Sequence, residues 1–201
     1  MRVVVAMTGA SGAAYGVRML QLLRDSPVVE THLVVSHAAA LTLAQECDLR
    51  IPDVAALADH VHKVSAVGAS IASGSFAVDA MLVAPCSVRT LSAIAYCNSA
   101  DLITRAADVR LKEGQPLLLL VRETPLHLGH LRAMTAATEA GAIIMPPVPA
   151  MYGRPQTLDD VVEHTVRRAL QRVGVPVERA AEWTGLSPAA DRDLLPNRAS
   201  G

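Results

Sequence analysis

The chain alternates short apolar runs with longer segments in which apolar side chains recur every three or four residues. The apolar runs lie at 2–7, 31–35, 81–84, 117–121 and 142–145, and the helical patterns lie at 13–24, 37–46, 87–95, 102–112, 127–140 and from 158 onward. Strands separated by helices pair in parallel, and uninterrupted apolar strands have both faces covered. The sequence therefore predicts a three-layer α/β domain with a mainly parallel sheet, in which 117–121 is the clearest central strand and 49–67 is ambiguous.

The length and composition fit one domain with a sizeable core, because the 201 residues are 51% hydrophobic and 18% charged. We assign residues 1–175 to this domain. Residues 176–201 are interpreted as a partly flexible C-terminal extension, since Pro, Asp, Asn, Ser and Gly are frequent from about Ser187. The mean hydropathy of +0.32 predicts large buried surfaces such as subunit contacts.

Several functional classes are excluded by what the sequence lacks. The net charge of −1, with one Trp, three Tyr and one Phe, argues against nucleic-acid binding. No apolar stretch approaches the roughly 18 residues of a membrane span, and the apolar start lacks the cleavage pattern of a signal peptide. The three cysteines have no zinc-type spacing, so we expect reduced thiols and a cytoplasmic protein.

Ligands of open parallel sheets bind beyond the carboxyl ends of the strands, so the residues after each run are the candidates. Gly9–Ser11 follow the first run, where backbone amides and a helix N-terminus could hold an anion, although a tight turn explains them equally well. Ser36 could bond a phosphate or simply cap the next helix. Ser87–Thr90 supply two hydroxyls and an arginine to a helix start, and the adjacent Cys86 is expected to be a buried thiol.

The remaining polar candidates each have an ordinary structural explanation beside a functional one. Arg122 and Glu123 follow the run at 117–121 and form either a mutual ion pair or a phosphate clamp beside a proton acceptor. On the last helix, Arg168 and Arg172 flank the apolar stripe and Arg167 points away. The residues alone predict a phosphorylated ligand at one sheet edge. His127 and His130 lack an evident third ligand, so no metal site is predicted.

Seven stretches together resemble the UbiX-type flavin prenyltransferases, the flavoproteins associated with phenylacrylic and hydroxybenzoate decarboxylases. They are MTGASGAAYGVRML, LVVSHAA, IASGSF, APCSVRTLSAIA, TRAADVRLKE, RETPLHLGHLR and PAMYGRPQTLDDVV. They occur in the order of the family and extend to about Val173. The resemblance implies a Rossmann/flavodoxin-like fold and a homododecamer with sites between subunits. It also implies the family's reaction, which is metal-independent.

In that reaction a dimethylallyl group passes from dimethylallyl monophosphate to N5 and C6 of reduced FMN, and a UbiD-type decarboxylase receives the prenylated FMN. The resemblance implies that FMN is held by Gly9, Ala10, Ser11, Ser36, Ser87, Val88, Arg89, Thr90 and Arg122. It implies that the prenyl phosphate is bound by Tyr152, Arg168, Lys112 and Arg105, and that the catalytic residues are Glu123, Glu46 and Lys112. Trp183 corresponds to a C-terminal tryptophan near the flavin.

The sequence departs from the family pattern around the prenyl pocket and leaves two other functions open. Met151 replaces a common Phe, Ala77-Val78 replace Arg-Thr, and the segment from Lys112 reads KEGQ where the family has a KERR-like stretch. These differences bear on which prenyl donor the protein prefers.

One alternative function is a flavin-dependent peptidyl-cysteine decarboxylase, whose members carry Asn where Tyr152 stands and use a catalytic His. The other is a non-catalytic FMN-binding subunit of a decarboxylase. Tyr152, Arg168 and Lys112 favour the transferase over the first alternative.

Overall fold

The structure is a computed structural model that describes residues 1–185 of the chain. Its strands are β1 (Arg2–Met7), β2 (Glu30–Val35), β3 (His60–Lys63), β4 (Ala80–Cys86), β5 (Leu117–Val121) and β6 (Ile143–Ile144). Its helices are α1 (Ala13–Arg24), α2 (His37–Cys47), α3 (Ile51–Ala55), α4 (Val88–Ala95), α5 (Leu102–Lys112), α6 (Leu128–Glu139) and α7 (Leu158–Arg172). Most of the predicted C-terminal extension, from residue 186 onward, lies outside the described residues.

The strands form one six-stranded sheet in the order β3-β2-β1-β4-β5-β6, and every described pairing is parallel. The chain runs outward from β1 to β3 and then crosses back to β4, so the topological switch point lies between β1 and β4. This order is that of the Rossmann fold. The predicted parallel α/β architecture is confirmed, but β5 is not central because only β6 separates it from the sheet edge.

Both faces of the sheet are buried, which produces three layers. Along β1, Val3, Val5 and Met7 pack with α1, α2 and α7, whereas Val4 and Ala6 pack with α4, α5 and α6. Successive residues of a strand point to opposite faces, so a strand between two helical layers is apolar at every position. None of the helices within residues 1–185 has both the length and the apolar character needed to cross a bilayer.

Two regions differ from the sequence-based expectations. The strand expected at 81–84 continues to Cys86, since Cys86 still pairs with Val121 of β5, and the following helix begins only at Val88. The ambiguous segment at 49–67 contains α3 and the edge strand β3. Three of the four β3 residues are exposed. An edge strand of this kind carries no apolar run, which explains the ambiguity of its pattern.

The helix predicted to begin after Thr157 is confirmed with its cap. The Thr157 hydroxyl accepts a hydrogen bond from the Asp160 amide at 3.1 Å, and the Asp160 carboxylate accepts one from the Thr157 amide at 2.9 Å. This reciprocal pair is a capping box, which satisfies backbone donors at the helix start. It fixes the beginning of α7, whose apolar face packs on α1.

Candidate functional site

A cleft of about 670 Å³ opens at the carboxyl ends of β1, β2, β4 and β5, next to the switch point of the sheet. The loops that follow these strands supply its walls, as expected for an open parallel sheet. The cleft brings together all residues predicted to hold the flavin, and it adds the predicted acid: Gly9, Ala10, Ser11, Ser36, Ser87, Val88, Arg89, Thr90, Arg122 and Glu123. A ligand of mononucleotide size fits such a volume.

Sequence reasoning missed part of the lining. Val64 and Ser65 follow the unrecognised strand β3, so the same rule would have found them once that strand was identified. Asp101, which caps α5, also borders the cleft. Thr8 follows the first apolar run and His37 and Ala38 follow Ser36, so the same rule covers these three residues, and Ala100 completes the lining.

Gly9 is required by close packing between the first loop and α2. A Cβ at Gly9 would lie 2.3 Å from the Cβ of Ala38, well inside van der Waals contact. The absence of a side chain lets the loop backbone approach the start of α2. Ser36 caps that helix by accepting a hydrogen bond from the Ala39 amide at 3.1 Å, as the structural explanation for this serine anticipated, and it still lines the cleft.

The N-terminus of α1 is occupied by a carboxylate from α2. Gly12 stands at the N-cap and offers no side chain, and Glu46 accepts hydrogen bonds from the amides of Gly12 at 2.8 Å and Ala13 at 2.9 Å. Burial tends to raise the pKa of Glu46, but these amides, the Ser11 hydroxyl and Arg122 lower it overall. These two amides are therefore satisfied within the chain by Glu46. Glu46 does not line the cleft.

The start of α4 is held in place by a chain of hydroxyl contacts. Ser87 caps the helix by accepting from the Thr90 amide at 3.3 Å, and its own amide donates to Thr8 Oγ1 at 2.8 Å. Thr8 in turn donates to the carbonyl oxygen of Pro85 at 2.8 Å. The positive end of α4 consequently faces the cleft, because Ser87–Thr90 line it. Cys86 beneath is buried, as expected, and burial raises the pKa of its thiol.

Arg122 and Glu123 do not pair with each other. Within residues 1–185, neither side chain takes part in an ion pair, and the Glu123 carboxylate accepts a hydrogen bond from the Thr124 amide at 2.9 Å. Arg122 is exposed and its backbone amide donates to the Cys86 carbonyl at 3.1 Å. The cleft therefore presents a cation available for an anionic ligand beside a carboxylate available for a proton.

The predicted phosphate partners on α5 lie away from the cleft. The N-cap Asp101 borders the cleft, whereas Lys112 ends the same helix, about 16 Å further along at 1.5 Å per residue. Lys112 forms an ion pair with Glu113, and Arg105 forms one with Asp108 at 2.8 Å. Neither Arg105 nor Lys112 lines the cleft of its own chain.

Tyr152 and Arg168 also lie outside this cleft. The Tyr152 hydroxyl is 3.2 Å from His164 Nε2, and its ring centroid is 5.8 Å from that of Trp183. Arg168 is exposed on α7. Its neighbour Arg167 was expected to point away from the core. Instead its side chain is only 17% exposed, since it pairs with Glu163 at 2.5 Å and with Glu178, from the segment after α7, at 3.3 Å.

His127, the first of the two histidines considered as metal ligands, caps the start of α6. His127 and His130 have ring centroids 3.6 Å apart, and His127 Nδ1 accepts a hydrogen bond from the Gly129 amide at 3.0 Å. This contact caps α6. The lone pair of His127 Nδ1 is thereby used within the chain.

A sheet in the Rossmann order, with a cleft at its switch point, is typical of doubly wound α/β proteins that bind nucleotides. More narrowly, the chain belongs to the Flavoprotein family, whose model matches residues 1–170, and to its UbiX-type branch. The flavin prenyltransferase UbiX of Escherichia coli K12 is 55% identical over 186 residues, which are 92% of this chain and 98% of that protein.

Solved structures agree with this assignment. A dodecameric FMN-dependent UbiX-like decarboxylase from Escherichia coli O157:H7 superposes with a TM-score of 0.89 at 47% identity, covering 92% of this chain and all of that one. A UbiX protein in complex with FMN and dimethylallyl pyrophosphate gives a TM-score of 0.89 at 46% identity, covering 92% and 98%. The cysteine decarboxylase TvaF, at a TM-score of 0.61 and 15% identity, shares the fold alone.

Proposed function

We propose that this protein is a flavin prenyltransferase that joins the dimethylallyl group of dimethylallyl monophosphate to N5 and C6 of reduced FMN. One observation carries the proposal. A single cleft gathers every residue expected to hold FMN, together with Glu123, in a chain 55% identical to a flavin prenyltransferase over 92% of its length. In this reaction FMN is a substrate, and prenylated FMN is the product.

The residues of the cleft suit an anionic nucleotide. The N-terminus of α4 supplies a positive helix end, and Arg122 supplies a cation without an ion-pair partner among residues 1–185. Glu123 lies in the same cleft, half-buried, with one oxygen held by the Thr124 amide. A carboxylate in this position can accept the proton released at C6 as the new bond forms, which is general-base catalysis.

Departure of the prenyl phosphate requires cations, because negative charge grows on the leaving oxygen. Arg105, Lys112 and Arg168, with Tyr152, are the expected partners, yet none of them lines the cleft of its own chain. We therefore propose that neighbouring subunits of a homo-oligomer, a dodecamer as in the similar structure from Escherichia coli O157:H7, bring them to the cleft.

Two further proposals concern the surroundings of the enzyme. A UbiD-type decarboxylase is the proposed recipient of the prenylated FMN, as in the family that the sequence resembles. The cytoplasm is the proposed compartment, because Cys47, Cys86 and Cys97 are free thiols and such thiols persist where the environment is reducing.

The test is anaerobic incubation of the purified protein with reduced FMN and dimethylallyl monophosphate, followed by mass spectrometry of the extracted flavin. We expect a gain of one five-carbon unit. Glu123→Gln should lower the transfer rate by roughly 10²–10⁴-fold while FMN still binds, and Glu139→Gln, on an exposed helix end, should leave the rate unchanged. The diphosphate donor is tested in parallel.

Unmodified FMN with both donors, despite tight flavin binding, would contradict the proposal. A carrier subunit would bind FMN equally well with and without the Glu123 carboxylate and would transfer nothing. A peptidyl-cysteine decarboxylase would instead release carbon dioxide from a peptide that ends in cysteine. These outcomes separate the transferase from both alternatives.

A further inference from the structure

Three potential metal ligands meet at the edge of the sheet formed by β2 and β3. Glu30 and His32 are two residues apart on β2, so they point to the same face, and His60 pairs directly with His32 across the two strands. Glu30 and His60 are the first residues of β2 and β3, and His32 is the third residue of β2. Because His32 precedes Ser36 by four residues, or roughly 13 Å of strand, the cluster is separate from the flavin cleft.

The carboxylate oxygen of Glu30 lies at metal-site spacing from both histidine nitrogens. Glu30 Oε1 lies 3.0 Å from His60 Nε2 and 3.5 Å from His32 Nε2, and all three atoms lie within 4.8 Å of one another. Ligands about 2.0–2.1 Å from a tetrahedral zinc ion are about 3.3 Å apart. The two distances from Glu30 Oε1 are close to this spacing, and the His32 and His60 rings, which are stacked with centroids 4.6 Å apart, would tilt for both nitrogens to share one ion.

The clearest indication is an unpartnered buried nitrogen. The side chain of His32 is 3% exposed, and among residues 1–185 its Nε2 atom has no hydrogen-bond partner. Its other nitrogen, Nδ1, lies 3.0 Å from His62 Nε2. When Nδ1–H donates to His62, the lone pair of Nε2 is left free, 3.5 Å from Glu30 Oε1. This is the arrangement of a metal-binding imidazole, whose second nitrogen is held by an outer partner.

Arg2 orients the carboxylate of Glu30, and the cluster is open to solvent. Arg2 Nε donates to the second oxygen of Glu30, Oε2, at 2.8 Å, which leaves Oε1 for an ion, and the Arg2 guanidinium lies over the Phe76 ring at 4.5 Å. His60 is 51% and Glu30 39% exposed, which gives an ion access from solvent.

We propose that Glu30, His32 and His60 bind a divalent transition-metal ion of the zinc type, with a water molecule in the fourth position. Two imidazoles and one carboxylate are a ligand set that zinc uses in proteins, whereas magnesium and calcium prefer oxygen ligands alone. The ion would join β2 to the edge strand β3, which pairs with no other described strand. This role is independent of prenyl transfer.

The test uses the full-length protein after treatment with a chelator. Zn²⁺ is titrated in competition with a chromophoric chelator, and Co²⁺ is added separately because its visible absorption reports the coordination geometry. We expect one equivalent of Zn²⁺ and the intense bands of four-coordinate Co²⁺. His60→Val, on an exposed strand position, should weaken Zn²⁺ binding at least tenfold and remove those bands.

Two variants keep the result interpretable. His127→Ser removes an imidazole elsewhere while preserving a good N-cap residue, so Zn²⁺ affinity at the proposed site should not change. Glu30→Gln conserves side-chain size and should weaken binding as His60→Val does. Absence of Zn²⁺ binding, affinity unaffected by His60→Val, or pale six-coordinate Co²⁺ bands would overturn the proposal. The cluster would then be a set of hydrogen bonds in which His32 Nε2–H faces Glu30.

Discussion

Replacing Glu46 by glutamine tests whether this carboxylate acts as a helix cap or as a proton-transfer group. In the structure it accepts hydrogen bonds from the amides of Gly12 at 2.8 Å and Ala13 at 2.9 Å, at a helix start whose own N-cap residue has no side chain. An N-cap hydrogen bond contributes about 1 kcal/mol. A negative charge near a helix N-terminus adds about 0.3–1 kcal/mol.

The two substitutions available at this position separate these contributions. Glu46→Gln keeps one acceptor oxygen and loses mainly the charge, so we expect the free energy of unfolding to fall by about 0.5–1 kcal/mol. Glu46→Ala loses the acceptor as well, and we expect a fall of about 1–2 kcal/mol. For a chain of this size, each kcal/mol lowers the melting temperature by about 2–4 °C.

The pH dependence has a definite sign. The pKa of Glu46 is lowered in the folded protein, where the amide hydrogen bonds outweigh the opposing effect of burial. Its stabilisation is therefore fully present above the pKa of an unfolded glutamate, about 4.3, and is lost as the pH falls through the lower folded value. The difference between the wild type and Glu46→Gln should shrink on acidification.

The assay is urea denaturation at neutral and acidic pH, with the FMN dissociation constant and the transfer rate measured on the same samples. Since the cap also supports the Gly9–Ser11 loop, we expect weaker FMN binding and a kcat within a few-fold of the wild type. Glu139→Gln is the control for loss of an exposed carboxylate. Unchanged stability together with a hundredfold loss of kcat would refute the capping argument and make Glu46 a proton-transfer group.

Two further predictions concern the packing of α1. Gly16→Ala should destabilise the protein by about 1–3 kcal/mol in urea denaturation, because the new Cβ would lie 2.4 Å from the carbonyl oxygen of Ala84. Gly68→Ala, with no atom within 4 Å of its Cβ, is the control, and equal effects would contradict the packing argument. Glu163→Gln should cost about 0.5–1 kcal/mol, since Glu163 pairs with Arg18 across α1 and α7 with both side chains about a third exposed. Arg18 is the main cause that lowers the pKa of Glu163, so the effect should be present at neutral pH and decline as the pH falls below about 4. A Tm difference independent of pH and salt would argue against the ion pair.

The sequence by itself determined the elements and most of the cleft. The bounds of β1, α1, α5 and β5 coincide with those read from the pattern, because local rules of periodicity and capping operate within a few residues. The cleft residues were found because parallel strands place their carboxyl ends at one edge, whatever the details of packing. The parallel topology alone therefore placed the loops after the strands at one edge of the sheet.

Only the tertiary structure decided which distant groups meet. Glu46 accepts a hydrogen bond from Gly12, 34 positions earlier in the sequence. Arg167 forms an ion pair with Glu178, although the helical period alone predicted that Arg167 points away from the core. The meeting of His32 with His60 depends on the register of an edge strand that carries no apolar pattern. Lys112 lies at the end of α5 away from the cleft, because the length of the helix separates it from Asp101. A short sequence motif gives no such distance. Such contacts depend on long-range packing, which neither periodicity nor local motifs encode.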